Sequence, residues 1–207
     1  MNNPLKMPIK LRGLLVLLVL FLSITLSGCS FGTSLDGMDT DPTHPLVESA
    51  RKQIGVVTKY DTGYYQGGHP PEDRGACTDV VARALKDNNY DLKSKIDADM
   101  RENPARYVHE SDPNINFRRV INVKAFMDAH AENLPTCTDK ECLPEWQPGD
   151  IVTFDQIPGS LWHIAIVSNK SIDGIPLLIH NYGSGVVEDN KLLTWPAPIT
   201  GHYRIMD

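Results

Sequence analysis

The 207-residue chain lacks four features that would assign it to a broad class of protein. It has no cluster of lysine and arginine and a formal net charge of −6, which argues against nucleic acid or an anionic lipid surface as its partner. It contains no internal repeat and no low-complexity tract. Its one long hydrophobic run, residues 14–26, is too short for a transmembrane helix, which needs about 20 residues.

Residues 1–28 have the organisation of a bacterial export signal, in which a basic start precedes the hydrophobic run. The run ends in Leu26-Ser27-Gly28-Cys29, which resembles a lipobox and implies cleavage before Cys29 and attachment of diacylglycerol to its sulfur. The alternative is an ordinary secretory signal followed by a chance cysteine. In lipoprotein sorting, Ser30 in place of aspartate implies the outer membrane, with the protein facing the periplasm and the lipid as its only membrane attachment.

Cleavage after residue 28 would remove three basic residues and leave 179 residues with a formal net charge of −9. Residues 29–43 are rich in Ser, Gly, Thr, Asp and Pro and carry no periodic apolar face, so they predict a tether. The length of the remainder predicts a single domain over residues 44–207.

The cysteines divide by position. Cys137 and Cys142 form a C-x₄-C pair, which in an oxidising envelope predicts a disulfide. A metal site is the weaker interpretation because no third ligand lies nearby, and a redox site is weaker because the spacing is not C-x-x-C. With Cys29 assigned to lipid, Cys77 is left as the candidate nucleophile.

The order of the predicted elements favours an α+β fold, with N-terminal helices and the Cys77 helix packed on a C-terminal antiparallel β-sheet. Apolar periodicity predicts helices from Pro45 to Gly55, from Cys77, from Asp91, and over 122–132, with inward residues that include Ile54 and His130. After the turn Pro148-Gly149-Asp150, strands are predicted at 151–154, 163–168, 176–181, 186–188 and 201–205.

The predicted hairpin from His163 to Asn181 carries two histidines. If Asn169 pairs with Gly174 across a four-residue loop, His163 lies directly opposite His180, with Cβ atoms about 5 Å apart. Asn181 then points to the other face of the sheet.

Cys77 begins its helix, where free backbone N–H groups and the helix dipole favour a thiolate. With Cys77 as nucleophile, His163 as base and His180 as the residue that orients the base, the three satisfy the needs of a cysteine hydrolase. The alternatives are an inert buried cysteine, a strand-end histidine and a cross-strand packing partner. A zinc site built from the same three residues is a further alternative.

A family resemblance supports the hydrolase interpretation. Four segments follow the order of NlpC-type cell-wall peptidases of the papain-like superfamily: Gly75-Ala76-Cys77-Thr78-Asp79, Pro148-Gly149-Asp150-Ile151-Val152, His163-Ile164-Ala165-Ile166-Val167 and Ile179-His180. Over residues 46–205 the chain is more similar still to an uncharacterised-domain family of bacterial envelope proteins assigned to that superfamily. Its motifs are Tyr60-Asp61, Arg74 to Val81, Arg118-Arg119-Val120, His180 to Gly185 and Ile199 to Arg204.

The resemblance implies a papain-like fold and the catalytic residues Cys77, His163 and His180. It also implies a tyrosine near the site, for which Tyr65 is the first candidate and Tyr64 the second, and it makes Asp79 and Asn181 candidates for substrate or oxyanion contacts. The parent pattern has an acid immediately before the cysteine, whereas this chain has Ala76. Asp79 or Asp73 could replace that acid, although Asp79 in a first turn also suits the helix dipole.

Arg118 and Arg119 have two interpretations, a clamp for a substrate carboxylate or a structural ion pair.

The sequence thus predicts an envelope lipoprotein that cleaves amide bonds of peptidoglycan or muropeptides through a Cys-His-His triad and an acyl-enzyme, without a metal or other cofactor. The alternatives are an N-acyl amidase or transferase acting on another envelope substrate, and a lipoprotein that binds muropeptide without catalysis.

Overall fold

The computed structural model describes residues 44–155 and 162–205. The predicted signal peptide, the lipid site Cys29 and the tether lie outside the described residues. Within them, the helices are α1 (Pro45–Arg51), α2 (Cys77–Asp87), α3 (Leu92–Glu102) and α4 (Val120–His130). The strands are β1 (Lys59–Tyr60), β2 (Arg74–Gly75), β3 (Glu132–Asn133), β4 (Ile151–Phe154), β5 (His163–Ile172), β6 (Ile175–Asn181), β7 (Val186–Asp189) and β8 (Ile199–Arg204).

The predicted α+β class and the antiparallel C-terminal sheet are confirmed. Six strands form one antiparallel sheet in the order β3-β8-β4-β5-β6-β7, and β1 and β2 pair separately in parallel. In the hairpin β5–β6, residues 163–168 and 178–181 are buried on both faces of the large sheet, and the end near the turn is exposed.

Strand alternation divides the sheet into two faces with separate cores. On the helix face, Ile164, Ile166 and Ile179 pack with Cys77 and Val81 of α2. On the other face, the intervening residues pack with the β4 residues Val152 and Phe154, and this set comprises Ala165, Val167 and Leu178. A residue's position along β5 therefore decides which core it joins.

The predicted hairpin register is wrong by two residues. Ile179 pairs with Ile166 rather than Ile164, because Asp173 and Gly174 form a two-residue turn, both with positive φ, and the register shifts between Val167 and Ser171. A shift of two positions keeps every side chain on its predicted face. His163 consequently remains on the same face as His180, as a diagonal neighbour instead of a direct partner.

Two helix predictions need correction at their ends. α1 ends at Arg51 instead of reaching Gly55, and Ile54, predicted as inward, is 40% exposed. α4 lies two residues earlier than predicted, and His130 at its last position is exposed beside Asp99 rather than buried. α3 follows its prediction, with Asp91 as the N-cap and an inner face of Leu92, Ile96 and Met100.

The predicted disulfide is confirmed: Cys137 and Cys142 are bonded, with an S–S distance of 2.00 Å. The bridge closes the loop that leads from β3 into β4. In the described ranges, the structure shows no helix with the length and apolar character needed to cross a bilayer.

Candidate active site

Cys77 is the first residue of α2, as the sequence predicts. The helix begins here because Ala76 is in an extended conformation and its N–H donates to the Asp79 carboxylate at 2.6 Å, which caps the first turn. The same turn leaves the Cys77 N–H without a hydrogen-bond partner among the described residues. The helix start thus offers a free donor beside the thiol.

The thiol is protonated in the resting protein, contrary to the expectation of a thiolate. Burial raises the pKa of the Cys77 thiol to about 11, although the N–H groups of Ile164 and Thr78 and the hydroxyl of Tyr60 lie close enough to oppose this rise. Cys77 is only 2% exposed and belongs to the main core. His163 is buried as well, at 3% exposed.

The two histidines meet as predicted, and the structure adds a third member that the sequence analysis missed. His163 Nε2 lies 2.7 Å from His180 Nδ1, and His180 Nε2 lies 2.9 Å from a carboxylate oxygen of Asp189. Asp189 is at the end of β7, next to β6, and could have been identified only from the pairing of those strands. The result is a hydrogen-bonded chain, His163–His180–Asp189.

The chain defines which nitrogen of each neutral ring carries a proton. A carboxylate can only accept, so His180 holds its proton on Nε2 and accepts through Nδ1. His163 must then donate from Nε2, and among the described residues no group donates to the lone pair of its Nδ1. Burial lowers the pKa of His163 well below its usual value, and His180 adds to this effect, so the His163 ring is neutral.

The position of His163 relative to Cys77 is set by strand β5. The thiol approaches the strand backbone at Ile164, whose side chain faces the helices. The His163 ring lies on the opposite face, stacked on Trp195 with ring centroids 4.0 Å apart. The thiol and the His163 ring therefore lie on opposite faces of β5, and in the described part of the chain no hydrogen bond joins them.

The tyrosine beside the thiol is Tyr60, and neither Tyr65 nor Tyr64 takes that place. Burial raises the pKa of Tyr60, and its contact with Cys77 raises it further, so Tyr60 presents a neutral hydroxyl to the sulfur. The Tyr65 hydroxyl donates to Asp61 at 2.7 Å. Tyr64 is exposed and contacts Asp112. Tyr60 is placed by β1, a two-residue strand too short to be identified from periodicity.

Asp79 has a structural role, and its prediction as a substrate contact needs correction. It is 2% exposed, and its oxygens accept from the Ala76 N–H and from the Arg118 guanidinium at 3.0 Å. Arg118 is equally buried and also donates to the carbonyls of Asp61 and Gly63. The ion-pair interpretation therefore holds for Arg118, and Asp79 has no free face for a substrate.

Asn181 points to the face opposite His180, as predicted. Its Nδ2 donates to the carbonyl of Gly75 at 2.7 Å and to that of Lys59 at 3.2 Å, so it ties β6 to the segment that leads into Cys77. Its Oδ1 is buried without a partner among the described residues.

A cavity of about 540 Å³ opens in front of the thiol. Cys77 and Tyr60 contribute one part of its lining, and Arg119 and Trp162 contribute another. Its volume is in the range of sites that hold small ligands or a few peptide residues. The zinc alternative lacks support, because among the described residues Cys77, His163 and His180 do not bring their ligand atoms together around one point.

Comparisons with known proteins give the chain a family. The family model described as "Domain of unknown function (DUF1287)" matches residues 47–205. The "Uncharacterized protein YijF" of Escherichia coli (strain K12) is 35% identical over 202 residues, which cover 93% of this chain and 96% of that protein. The solved structure of NlpC1 from Trichomonas vaginalis is similar over 80% of this chain and 46% of that chain, with 16% identity and a TM-score of 0.45.

The raised pKa of Cys77 predicts how the resting thiol reacts. Alkylation of native protein by iodoacetamide should be slow from pH 6 to 8 and should accelerate only above about pH 9, because the thiolate forms only as the pH approaches the raised pKa of about 11. Mass spectrometry of the Cys77 peptide measures the rate. Protein unfolded in urea, where the thiol has an ordinary pKa near ~8.5, is the control. Rapid native alkylation at pH 6 would contradict this resting state.

Proposed function

This chain belongs to the DUF1287 family, and from the geometry of its site we propose that it is a cysteine hydrolase that cleaves amide bonds of peptidoglycan. The observation that carries the proposal is the chain His163–His180–Asp189, which leaves a base nitrogen free on His163, the residue next to the backbone that contacts the Cys77 thiol. A Cys-His-His order on a helix start and two strands also supports a papain-like, NlpC-type fold.

In the proposed reaction the His163 Nδ1 removes the proton from Cys77 as the sulfur attacks the amide carbon. The free Cys77 N–H donates to the oxyanion that forms. The protonated His163 then gives its proton to the leaving amine, and the acyl group remains on sulfur as a thioester. His163 next activates a water that hydrolyses the thioester, which restores the thiol.

His180 and Asp189 act on His163 rather than on the substrate. Their hydrogen bonds hold the base ring in one tautomer and stabilise its transient positive charge, the part played by the third member of a catalytic triad. Catalysis requires the Cys77 sulfur and His163 Nδ1 to come within hydrogen-bonding distance. Because the His163 ring lies on the face of β5 opposite the thiol, this requires the ring to change its rotamer or the start of β5 to shift.

The assignment to peptidoglycan has independent support from the N-terminal sequence. The lipobox ending at Cys29 would anchor the protein in the outer membrane, and residues 29–43 would let the domain reach the sacculus from there. The Cys137–Cys142 disulfide fits an oxidising envelope. An N-acyl amidase or transferase would use the same residues on another envelope substrate.

A second function, binding of muropeptide without catalysis, is favoured by one observation. Cys77 is buried and burial raises its pKa to about 11, as in an inert core cysteine. A measurement of peptidoglycan hydrolysis distinguishes the hydrolase from the protein that only binds muropeptide.

Purified protein should release peptides from sacculi, detected by mass analysis of the soluble products. Cys77→Ser and His163→Gln should each lower turnover by at least about a thousandfold, because each removes a reacting group. His180→Gln and Asp189→Asn should retain measurable turnover, since they only misplace the base. Thermal unfolding of each variant verifies its fold, which matters because Cys77 and His163 are buried. His130→Gln, at an exposed histidine, is the matched control.

Undiminished release of products by Cys77→Ser would reject the mechanism. Absence of products from the wild type on sacculi and on isolated muropeptides would favour the binding function.

The lipid anchor is tested in cells. Radiolabelled fatty acid should enter the wild-type protein and not Cys29→Ala, because the acceptor sulfur is lost, and the variant should leave the membrane fraction. Cys77→Ala is the matched control and should be labelled normally. Equal labelling of the wild type and Cys29→Ala would reject the lipobox interpretation.

A further inference from the structure

Two adjacent arginines line the Cys77 cavity, and they differ in whether an acidic side chain pairs with them. Arg118 is neutralised by Asp79 and is saturated with acceptors. Arg119 also lines the cavity, yet its side chain makes no hydrogen bond or ion pair among the described residues, and its Nη1 is buried without a partner. A buried guanidinium nitrogen left without an acceptor is costly unless a ligand supplies one.

The backbone around Arg119 adds further free donors. Arg119 is the N-cap of the 11-residue helix α4, and no side chain caps that helix. Within the described residues, no acceptor is bonded to the N–H groups of Val120 and Ile121, both of which line the cavity. The positive end of the α4 dipole therefore lies at the same wall as the guanidinium.

Acidic side chains are missing from the described cavity lining, although the whole chain has a net charge of −6. Asp112 is near enough to Arg119 for an electrostatic effect. Its pKa is lowered chiefly by the hydrogen bond from the Asn114 N–H and only in part by the charge of Arg119. Asp112 is bonded to Asn114 and Tyr64 instead of to Arg119. Arg119, Val120 and Ile121 thus give one side of the cavity a positive charge and N–H donors that have no partner among the described residues.

We propose that Arg119, with the N–H groups of Val120 and Ile121, binds a free carboxylate of the substrate while the scissile carbonyl lies at Cys77. This inference rests on the proposed function and makes it more specific, because the preferred substrates become peptides with an unamidated carboxyl group close to the bond that is cut. A guanidinium fork matches a carboxylate in two parallel hydrogen bonds. The remaining lining is largely apolar, which strengthens that pairing.

The test measures binding separately from turnover, so that the two proposals can fail independently. Cys77→Ala protein is titrated calorimetrically with the stem peptide L-Ala-γ-D-Glu-meso-diaminopimelyl-D-Ala-D-Ala, and with counterparts in which each carboxyl is converted in turn to a carboxamide. One of the amidations should weaken binding about tenfold to a hundredfold, the range for a charge-assisted hydrogen bond. Inorganic phosphate, as a simple anion, should compete only weakly.

The same titrations in Arg119→Gln identify the partner of the carboxylate. Arg119→Gln should weaken binding of the free acid by a similar factor and should abolish the difference between acid and amide, because the two changes remove one interaction. Arg119→Lys should restore part of that difference. Arg101→Gln, at an exposed arginine of α3 outside the cavity, is the matched control and should bind like the parent.

An acid-to-amide difference that persists in Arg119→Gln would overturn the inference, as would the absence of binding by every peptide. Arg119-dependent preference for the acid, together with no turnover by the wild type, would keep the carboxylate site and reject the hydrolase. Turnover of acid and amide peptides with equal kcat/KM would keep the hydrolase and reject the carboxylate site.

Discussion

The buried ion pair between Asp79 and Arg118 holds together the segments that form the cavity. Asp79 caps the helix that begins at Cys77, and Arg118 reaches it from the segment before α4 while binding the carbonyls of Asp61 and Gly63. Cys77, the strand that carries Tyr60 and the neighbouring Arg119 are thus positioned by one contact. Breaking such a pair by removing one charge costs about 3 to 5 kcal/mol, because the other charge is left buried.

The site combines a saturated polar frame with a few unsatisfied groups. Asp79, Arg118 and the amide nitrogen of Asn181 are fully engaged and fix the backbone. The Cys77 N–H, the Arg119 guanidinium and the lone pair of His163 Nδ1 have no partner among the described residues, and the proposed function assigns them to the substrate and the reaction. This division is expected of a preorganised site, in which the frame is rigid and the free donors and acceptors face the position where charge develops.

The alternation of side chains between the two faces of a strand explains why the fold and the histidine pair could be predicted while the exact strand register could not. The alternation along β5 and β6 assigned His163, His180 and Asn181 to their correct faces, and a register error of two residues left that assignment intact. Asp189 and Tyr60 were missed because their roles arise from the pairing of short strands, β7 with β6 and β1 with β2, which residue periodicity does not reveal. The pKa of Cys77 was predicted in the wrong direction because a helix start is visible in a sequence, whereas complete burial is not.

The central claim is that Cys77 carries the acyl group during the reaction. Intact mass spectrometry after rapid acid quenching of wild-type enzyme mixed with stem peptides tests it most directly. The account predicts an adduct with the mass of the acyl fragment, located on the Cys77 peptide and removed by hydroxylamine, which cleaves thioesters. Turnover of the same peptides with no adduct on Cys77 under any quench time, or an adduct on another residue, would contradict it.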